Sequence, residues 1–146
     1  MELTYQFLLR SLAHQMKNYA DRRLDDFGIT QEQSHTLGYI YRHQEKGISQ
    51  KDIMKTFDRK GSTVSSILKN LEKRDLVYRK VNPEDTRSKI LKLTDEGITL
   101  VESFTKVFDE IEERMILNFA EEDKIKLKEY LEPVSYTHLT LPTICS

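Results

Sequence analysis

The stretch from Ser49 to Gly97 constrains the fold more than any other part of the chain. Ile53, Met54 and Phe57, then Val64, Ile67, Leu68 and Leu71, recur at spacings of three, four and seven residues. That periodicity puts one face of each of two short helices against a core. The tight link Asp58-Arg59-Lys60-Gly61 joins them, as in a helix-turn-helix. Two strand-like runs follow, Val77–Val81 and Lys89–Leu93, with the segment from Asn82 to Ser88 between them. Pro83 cannot donate to a sheet ladder, so this segment is expected to be a hairpin tip. Helix, turn, helix and charged hairpin together predict a winged helix-turn-helix: a mainly α chain with a small β wing.

Charge sets this module apart. Residues 46–92 hold thirteen Lys and Arg against six Asp and Glu, a net of +7, whereas the whole chain carries −1. The rest is therefore acidic, with ten basic and eighteen acidic groups. A DNA duplex carries one negative charge per roughly 1.7 Å of axis, and basic groups gain affinity by releasing its counterions. An acidic body bearing one basic module is the footprint of a protein that lays one face on double-stranded DNA. The plainer reading is ordinary surface charge.

Three runs, Leu71-Glu72-Lys73-Arg74-Asp75-Leu76-Val77, Asp85-Thr86-Arg87 and Leu93-Thr94-Asp95-Glu96-Gly97, resemble the MarR family of bacterial transcription regulators. The likeness covers roughly residues 1–132, with specific motifs only from Ile48 to Gly97. It implies a dimeric winged-helix repressor or activator. Joined to the basic module, it leads us to expect a sequence-specific, DNA-binding homodimer, and an effector-responsive repressor in particular. The alternative is a winged helix used as a protein-interaction scaffold, which has no need of concentrated positive charge.

A chain of 146 residues is expected to form a single domain with a real core. Charged residues make up 32% and apolar residues 38%, and no apolar run approaches the ~20 residues that span a bilayer. Met1-Glu2-Leu3-Thr4 lacks a basic n-region, so no signal peptide is read and a cytoplasmic location is expected. The single cysteine, Cys145, excludes an intramolecular disulfide or a multi-thiolate metal site.

Residues 3–27 carry Leu3, Phe7, Leu8, Leu12, Met16, Tyr19, Ala20, Leu24 and Phe27 at mostly helical spacing, with Gly28 as the stop. Thr30-Gln31-Glu32-Gln33 is a capping box opening a second helix to about Glu45, with Leu37, Ile40 and Tyr41 expected inward. Ser49 and Asp52 open the third helix, and a fourth is expected from Gly61 to Arg74. Thr94 caps a fifth, whose stripe of Ile98, Val101, Phe104, Phe108, Ile111 and Met115 is too long for a small winged module to cover. The apolar N-terminal helix, from the same or a second subunit, is its simplest partner. A sixth helix, about Glu121 to Glu132, carries Ile125, Leu127, Tyr130 and Leu131. The expected division is a winged helix-turn-helix over 30–97 and dimerisation helices over 1–27 and 98–132. Residues 133–146 drop the acidic helical composition and read as a translated sequencing adapter, the alternative being a genuine extended tail.

The fourth helix is the one expected in the major groove. Ser62, Thr63, Ser65, Ser66 and Lys69 lie off its apolar stripe, preceded by Lys60, with short hydrogen-bonding groups at the end that such helices present to base edges. The plainer reading is that Ser and Thr decorate an exposed helix. Lys60 stands where the family prefers a small capping residue, and Ser66 where many members carry Arg. In the wing, Arg87 can reach a narrow minor groove, and Asp85 can hold its guanidinium in a fork. Against that stands a solvated ion pair worth about 0–1 kcal/mol. His14, His35 and Tyr39, with Tyr5, are the candidates for an effector pocket between dimer layer and winged module; packing against neighbours is the plainer reading. His35 and His43 are eight apart, so no helix face presents them as a neighbouring metal pair, and no cofactor or metal is expected. No phosphate-binding Gly loop, zinc-protease His-Glu-x-x-His run or nucleophile elbow is present, so no enzyme is expected.

Overall fold

The computed structural model describes residues 4–135. Their order is α1 (Thr4–Asp25), α2 (Gln31–His43), a 3-10 turn (Gln44–Lys46), α3 (Gln50–Phe57), α4 (Gly61–Lys73), β1 (Val77–Asn82), β2 (Asp85–Leu93), α5 (Asp95–Met115) and α6 (Glu121–Ser135). The chain divides between Ile111 and Glu112 into two compact units.

The first unit owes its element boundaries to local chemistry. Thr30 and Gln33 form the expected capping box: the Gln33 N–H donates to Thr30 Oγ1 at 3.1 Å, and the Thr30 N–H to Gln33 Oε1 at 3.0 Å. At α3 the Ser49 N–H donates to Asp52 Oδ2 at 2.7 Å. Helix α1 stops at Gly28, whose φ is +68°, as expected. Helices α3 and α4 stop the same way on aspartates, Asp58 at φ +50° and Asp75 at φ +58°. In both, the next N–H reaches back five residues, Arg59 to Met54 O and Leu76 to Leu71 O, each at 3.0 Å. This closes the terminal carbonyls in a Schellman-type turn.

Strands β1 and β2 pair antiparallel from Val77↔Leu93 to Val81↔Lys89, then slip in register to Asn82↔Asp85. The tip is therefore shorter than the expected Asn82–Ser88 loop. Pro83 and Glu84 make the turn, and β2 already begins at Asp85. Asn82 makes this possible by accepting the Glu84 N–H at 3.0 Å and donating to Ser88 Oγ at 3.3 Å. The Leu91 N–H donates to Ile48 O at 2.9 Å, tying the segment before α3 to the sheet.

The core gathers Leu24, Leu37, Ile40, Ile53, Val64, Leu68, Leu71, Val77, Leu91, Val101, Phe104 and Val107, all buried. Ser34 and Thr36 join it, each satisfied by a carbonyl one turn back, Gln31 O and Glu32 O. Tyr41, expected inward, stands at the rim with 38% of its surface exposed. Its hydroxyl donates to Glu102 Oε1 of α5 at 3.5 Å, while the small residues Ser34, Thr36 and Gly38 are buried on α2. The first half of α1 leaves Tyr5, Phe7, Leu8, Leu9 and Leu12 exposed. Only Ala20 and Leu24 of that helix are buried.

In the second unit, α6 buries no residue, and Leu117, Phe119, Ile125, Tyr130 and Leu131 are all exposed. The helix runs past Pro133 to Ser135, beyond its expected end at Glu132. The rest of the suspected adapter tail, with His138 and Cys145, lies outside the described residues.

Candidate nucleic-acid interface

Asp58 turns the chain between α3 and α4, and α4 then presents two faces. Val64, Leu68 and Leu71 are buried. On the outer side Ser62, Ser66 and Lys69 are exposed at helical spacing, so one stripe carries two hydroxyls and an ammonium. Thr63 and Ser65 flank that stripe half-buried, and Lys60 is exposed just before the helix. Lys60 supplies no side-chain cap, and the first turn holds no acidic residue. The positive end of α4 and its first N–H groups are thus left for an anion.

The wing completes the surface. The Arg87 side chain is 95% exposed. Asp85 does not clasp it in the expected fork: Arg87 Nε lies 3.8 Å from Asp85 Oδ1, and that oxygen accepts the Arg87 backbone N–H at 3.0 Å. The carboxylate therefore shapes the backbone that carries Arg87 more than it holds the guanidinium. The Ser88 hydroxyl adds a bond to Asp85 O at 3.2 Å.

Four of the thirteen basic residues are engaged by partners from elsewhere in the chain, Arg59 in an exposed ion pair and the other three half-buried. Arg59 pairs with Glu32 at 3.1 Å, Arg74 donates to Gly28 O at 2.8 Å, Arg79 to Glu72 at 2.5 Å and Lys92 to Gln44 O at 2.6 Å. Arg74 and Lys92 cap carbonyls left over at helix ends. The other nine, Lys46, Lys51, Lys55, Lys60, Lys69, Lys73, Lys80, Arg87 and Lys89, are exposed. Sequence reasoning had no signal for this sorting, because each of the four partners lies at least seven residues away.

The effector candidates separate. His35 lies beside Phe108 of α5, ring centroids 6.0 Å apart. Tyr39 packs on His43 at 4.4 Å and on Phe57 at 5.6 Å, and its hydroxyl accepts from Thr56 at 3.1 Å. His35 and Phe57 border a cavity of about 60 Å³ closed by Ile53, Val64 and the Glu32–Arg59 pair. It lies among α2, α3 and α4, inside the winged module rather than between layers. His14 is exposed on α1, 3.1 Å from Asn18, and does not line that cavity. Tyr5 is 87% exposed. A broader open cleft of about 570 Å³ is lined by Phe27, Arg74, Leu76, Asp95, Glu96, Thr99, Leu100 and Ser103, none of them a candidate from the sequence. Among the described residues no group of three or more His, Cys, Asp or Glu is placed to hold a metal ion. No helix there is long and apolar enough to cross a membrane.

Burial holds His35 below its ordinary value of 6.5, aided by the Arg42 charge and opposed by Glu32. The folded state therefore prefers the neutral ring, and the unfolded chain takes up the proton first as pH falls. The stabilisation is complete above about pH 6.5 and is lost progressively below it. Thermal melts of the His35→Gln protein should accordingly fall less steeply than wild type between about pH 7 and pH 5. Parallel curves would show that His35 contributes no pH dependence.

A three-helix module with an outward hydroxyl-and-lysine stripe and an arginine-tipped hairpin defines a winged helix-turn-helix regulator. Residues 27–88 match the MarR family. Staphylococcus aureus MepR in its DNA complex is 47% identical and superposes with a TM-score of 0.79, covering 91% of this chain and 97% of that one. A second structure of MepR, described as a transcription regulator of the multidrug efflux pump MepA, is 45% identical with a TM-score of 0.78 over 89% and 95% of the two chains. An uncharacterised HTH-type transcriptional regulator of Bacillus subtilis, YdgJ, is 33% identical over 66% of this chain and 58% of its own length. This chain thus spans about three-fifths of that curated relative. The protein belongs to the MarR family of transcription regulators.

Proposed function

We propose that the protein is a cytoplasmic, homodimeric repressor that binds a two-fold operator in duplex DNA and releases it on binding a small effector. The observation that carries this reading is the outward stripe of α4, Ser62, Ser66 and Lys69, together with the exposed Arg87 wing and seven further solvent-facing lysines in the same module. Hydroxyls and lysine on α4 suit base edges and phosphates, while Arg87 suits the minor groove. Lys60, Thr63, Ser65 and Asp85 complete the proposed contact set. The MepR–DNA complex supports the assignment by likeness.

The dimer reading rests on apolar surface. Tyr5, Phe7, Leu8, Leu9 and Leu12 in one unit are exposed, and so are Leu117, Phe119, Ile125, Tyr130 and Leu131 in the other. Surface of this kind on a soluble protein is ordinarily covered by a partner; a second copy of the chain covers each. His35 and Tyr39 are the effector candidates with neighbours to share, and His14 the one without. At about 60 Å³ the cavity beside His35 is far below the ~300 Å³ of an ordinary ligand pocket, so an effector there has to part α2 from α3.

Mobility-shift titrations on duplex DNA from upstream of its own gene test the assignment. If the dimer makes six or more phosphate contacts, affinity falls by at least about 10³ between 50 and 200 mM salt. Affinity that stays flat across that range, or that is equal for unrelated DNA at every salt concentration, would overturn operator recognition.

A further inference from the structure

Arg79 is counted in the basic module, yet its guanidinium is not offered to solvent as the other wing cations are. It lies on β1, and its Nε donates to Glu72 Oε1 in the last turn of α4 at 2.5 Å. Its Nη2 donates to Gln50 Oε1, the first residue of α3, at 3.2 Å. The Gln50 amide in turn reaches Gly61 O, the first residue of α4, at 3.5 Å. Arg79 and Glu72 side chains are 29% and 31% exposed. One planar cation thus touches both helices of the helix-turn-helix from the base of the wing. Through Gln50 it addresses both ends of α4, which stand roughly 16 Å apart at 1.5 Å per residue. A fork of fixed donors suits that role, and a lysine, with one mobile ammonium, does not. The pairing also leaves the local charge neutral, so Arg79 adds little to the field that draws in phosphates.

We infer that Arg79 is a positioning residue for DNA recognition: it sets the wing at a fixed angle to α3 and α4, so that Arg87 and the α4 stripe meet one duplex together, and it makes no phosphate contact of its own. The inference rests on the DNA-binding reading above. It distinguishes two kinds of loss. A residue that neutralises a phosphate contributes about 0.9 to the salt slope per contact, whereas one that aligns two reading elements changes operator affinity and leaves the slope alone.

The test measures operator binding, unrelated-duplex binding and salt slope for wild type, Arg79→Gln, Arg79→Lys and Gln50→Ala. Wild-type binding is read first, since failure there sinks the functional assignment itself and not this inference alone. Arg79→Gln is expected to bind the operator about ten-fold more weakly, about 1.4 kcal/mol, with an unchanged slope and unchanged affinity for unrelated duplex. Arg79→Lys should rescue less than half of that loss on a free-energy scale, because one ammonium cannot hold both partners. Gln50→Ala cuts the link from Arg79 to α3 and the contact from Gln50 to Gly61 O, keeps the Arg79–Glu72 pair and removes no charge, so it should weaken operator binding a few-fold with the slope unchanged. It decides the matter if the Arg79 variants do not fold. A slope reduced by about 0.9 per protomer in Arg79→Gln would identify a phosphate contact and overturn the inference. So would operator affinity indistinguishable from wild type in Arg79→Gln or, if that does not fold, in Gln50→Ala.

Discussion

Gly97→Ala should lower stability by about 3 kcal/mol, the upper end of overpacking costs, and drop the melting temperature by at least about 10 °C. Gly97 is buried in the first turn of α5, and a Cβ there would run into the Leu76 carbonyl oxygen. That oxygen cannot simply move aside. It accepts the Thr94 N–H at 3.1 Å, while the Thr94 hydroxyl donates to Asp75 O at 2.7 Å and accepts the Gly97 N–H at 3.0 Å. Thr94 therefore caps α5 and at the same time fastens the end of α4 and the start of β1 beneath it. Gly61→Ala is the matched control. Its added Cβ would meet the terminal methyl of Met54 at 3.3 Å and its sulfur at 3.7 Å, the far end of a flexible side chain that can rotate away. Thermal melts should show a large loss for the first change and within about 1 kcal/mol of none for the second. Equal losses would mean that general crowding, and not the Leu76 carbonyl, limits the site.

Arg87→Ala should weaken operator binding by about ten-fold or more and reduce the salt slope by about 0.9 for each protomer. Lys92→Ala, which removes the same charge from the same strand, should leave both nearly unchanged and instead lower the melting temperature. The reason is where each cation is spent. Arg87 is 95% exposed at the wing, whereas Lys92 Nζ donates to Gln44 O at 2.6 Å and closes the end of α2 and its 3-10 turn. Asp85→Ala removes a negative charge from the wing and should nonetheless weaken binding. Its carboxylate accepts the Arg87 N–H at 3.0 Å and holds the bend that aims that residue. Tighter binding by a folded Asp85→Ala protein would show that Asp85 does not position Arg87. Equal losses for Arg87→Ala and Lys92→Ala would reduce the wing to a diffuse positive charge.

What was legible in advance was whatever neighbours along the chain decide. The apolar spacing of Ile53 through Leu71 placed α3 and α4, the Thr30–Gln33 box opened α2, Gly28 closed α1, and Pro83 broke the hairpin where it breaks. Each of these is settled within a few residues by backbone geometry or by a side chain reaching its own helix end. Three local readings went astray because of contacts that the residue pattern does not show. Tyr41 stays at the rim, where its hydroxyl reaches Glu102 of α5, and β2 starts at Asp85 because Asn82 and Ser88 bond across the tip. The Arg87 guanidinium is not gripped by Asp85, since the backbone N–H takes the nearer place on the carboxylate.

By itself the sequence determined a winged helix-turn-helix with a net positive module, a fourth helix with an outward hydroxyl stripe and an arginine at the wing. Only the tertiary structure decided which positive charges are free. Arg74 and Lys92 reach carbonyls 46 and 48 residues away, Arg59 is held by Glu32 of another helix, and Arg79 is held by Glu72 and Gln50. Counting charges assigns all thirteen basic groups to one surface, but a cation beside a helix-end carbonyl or an opposing carboxylate is partly neutralised or satisfied within the protein. Which cations meet such partners depends on how the helices pack, and packing brings together residues that no local pattern relates.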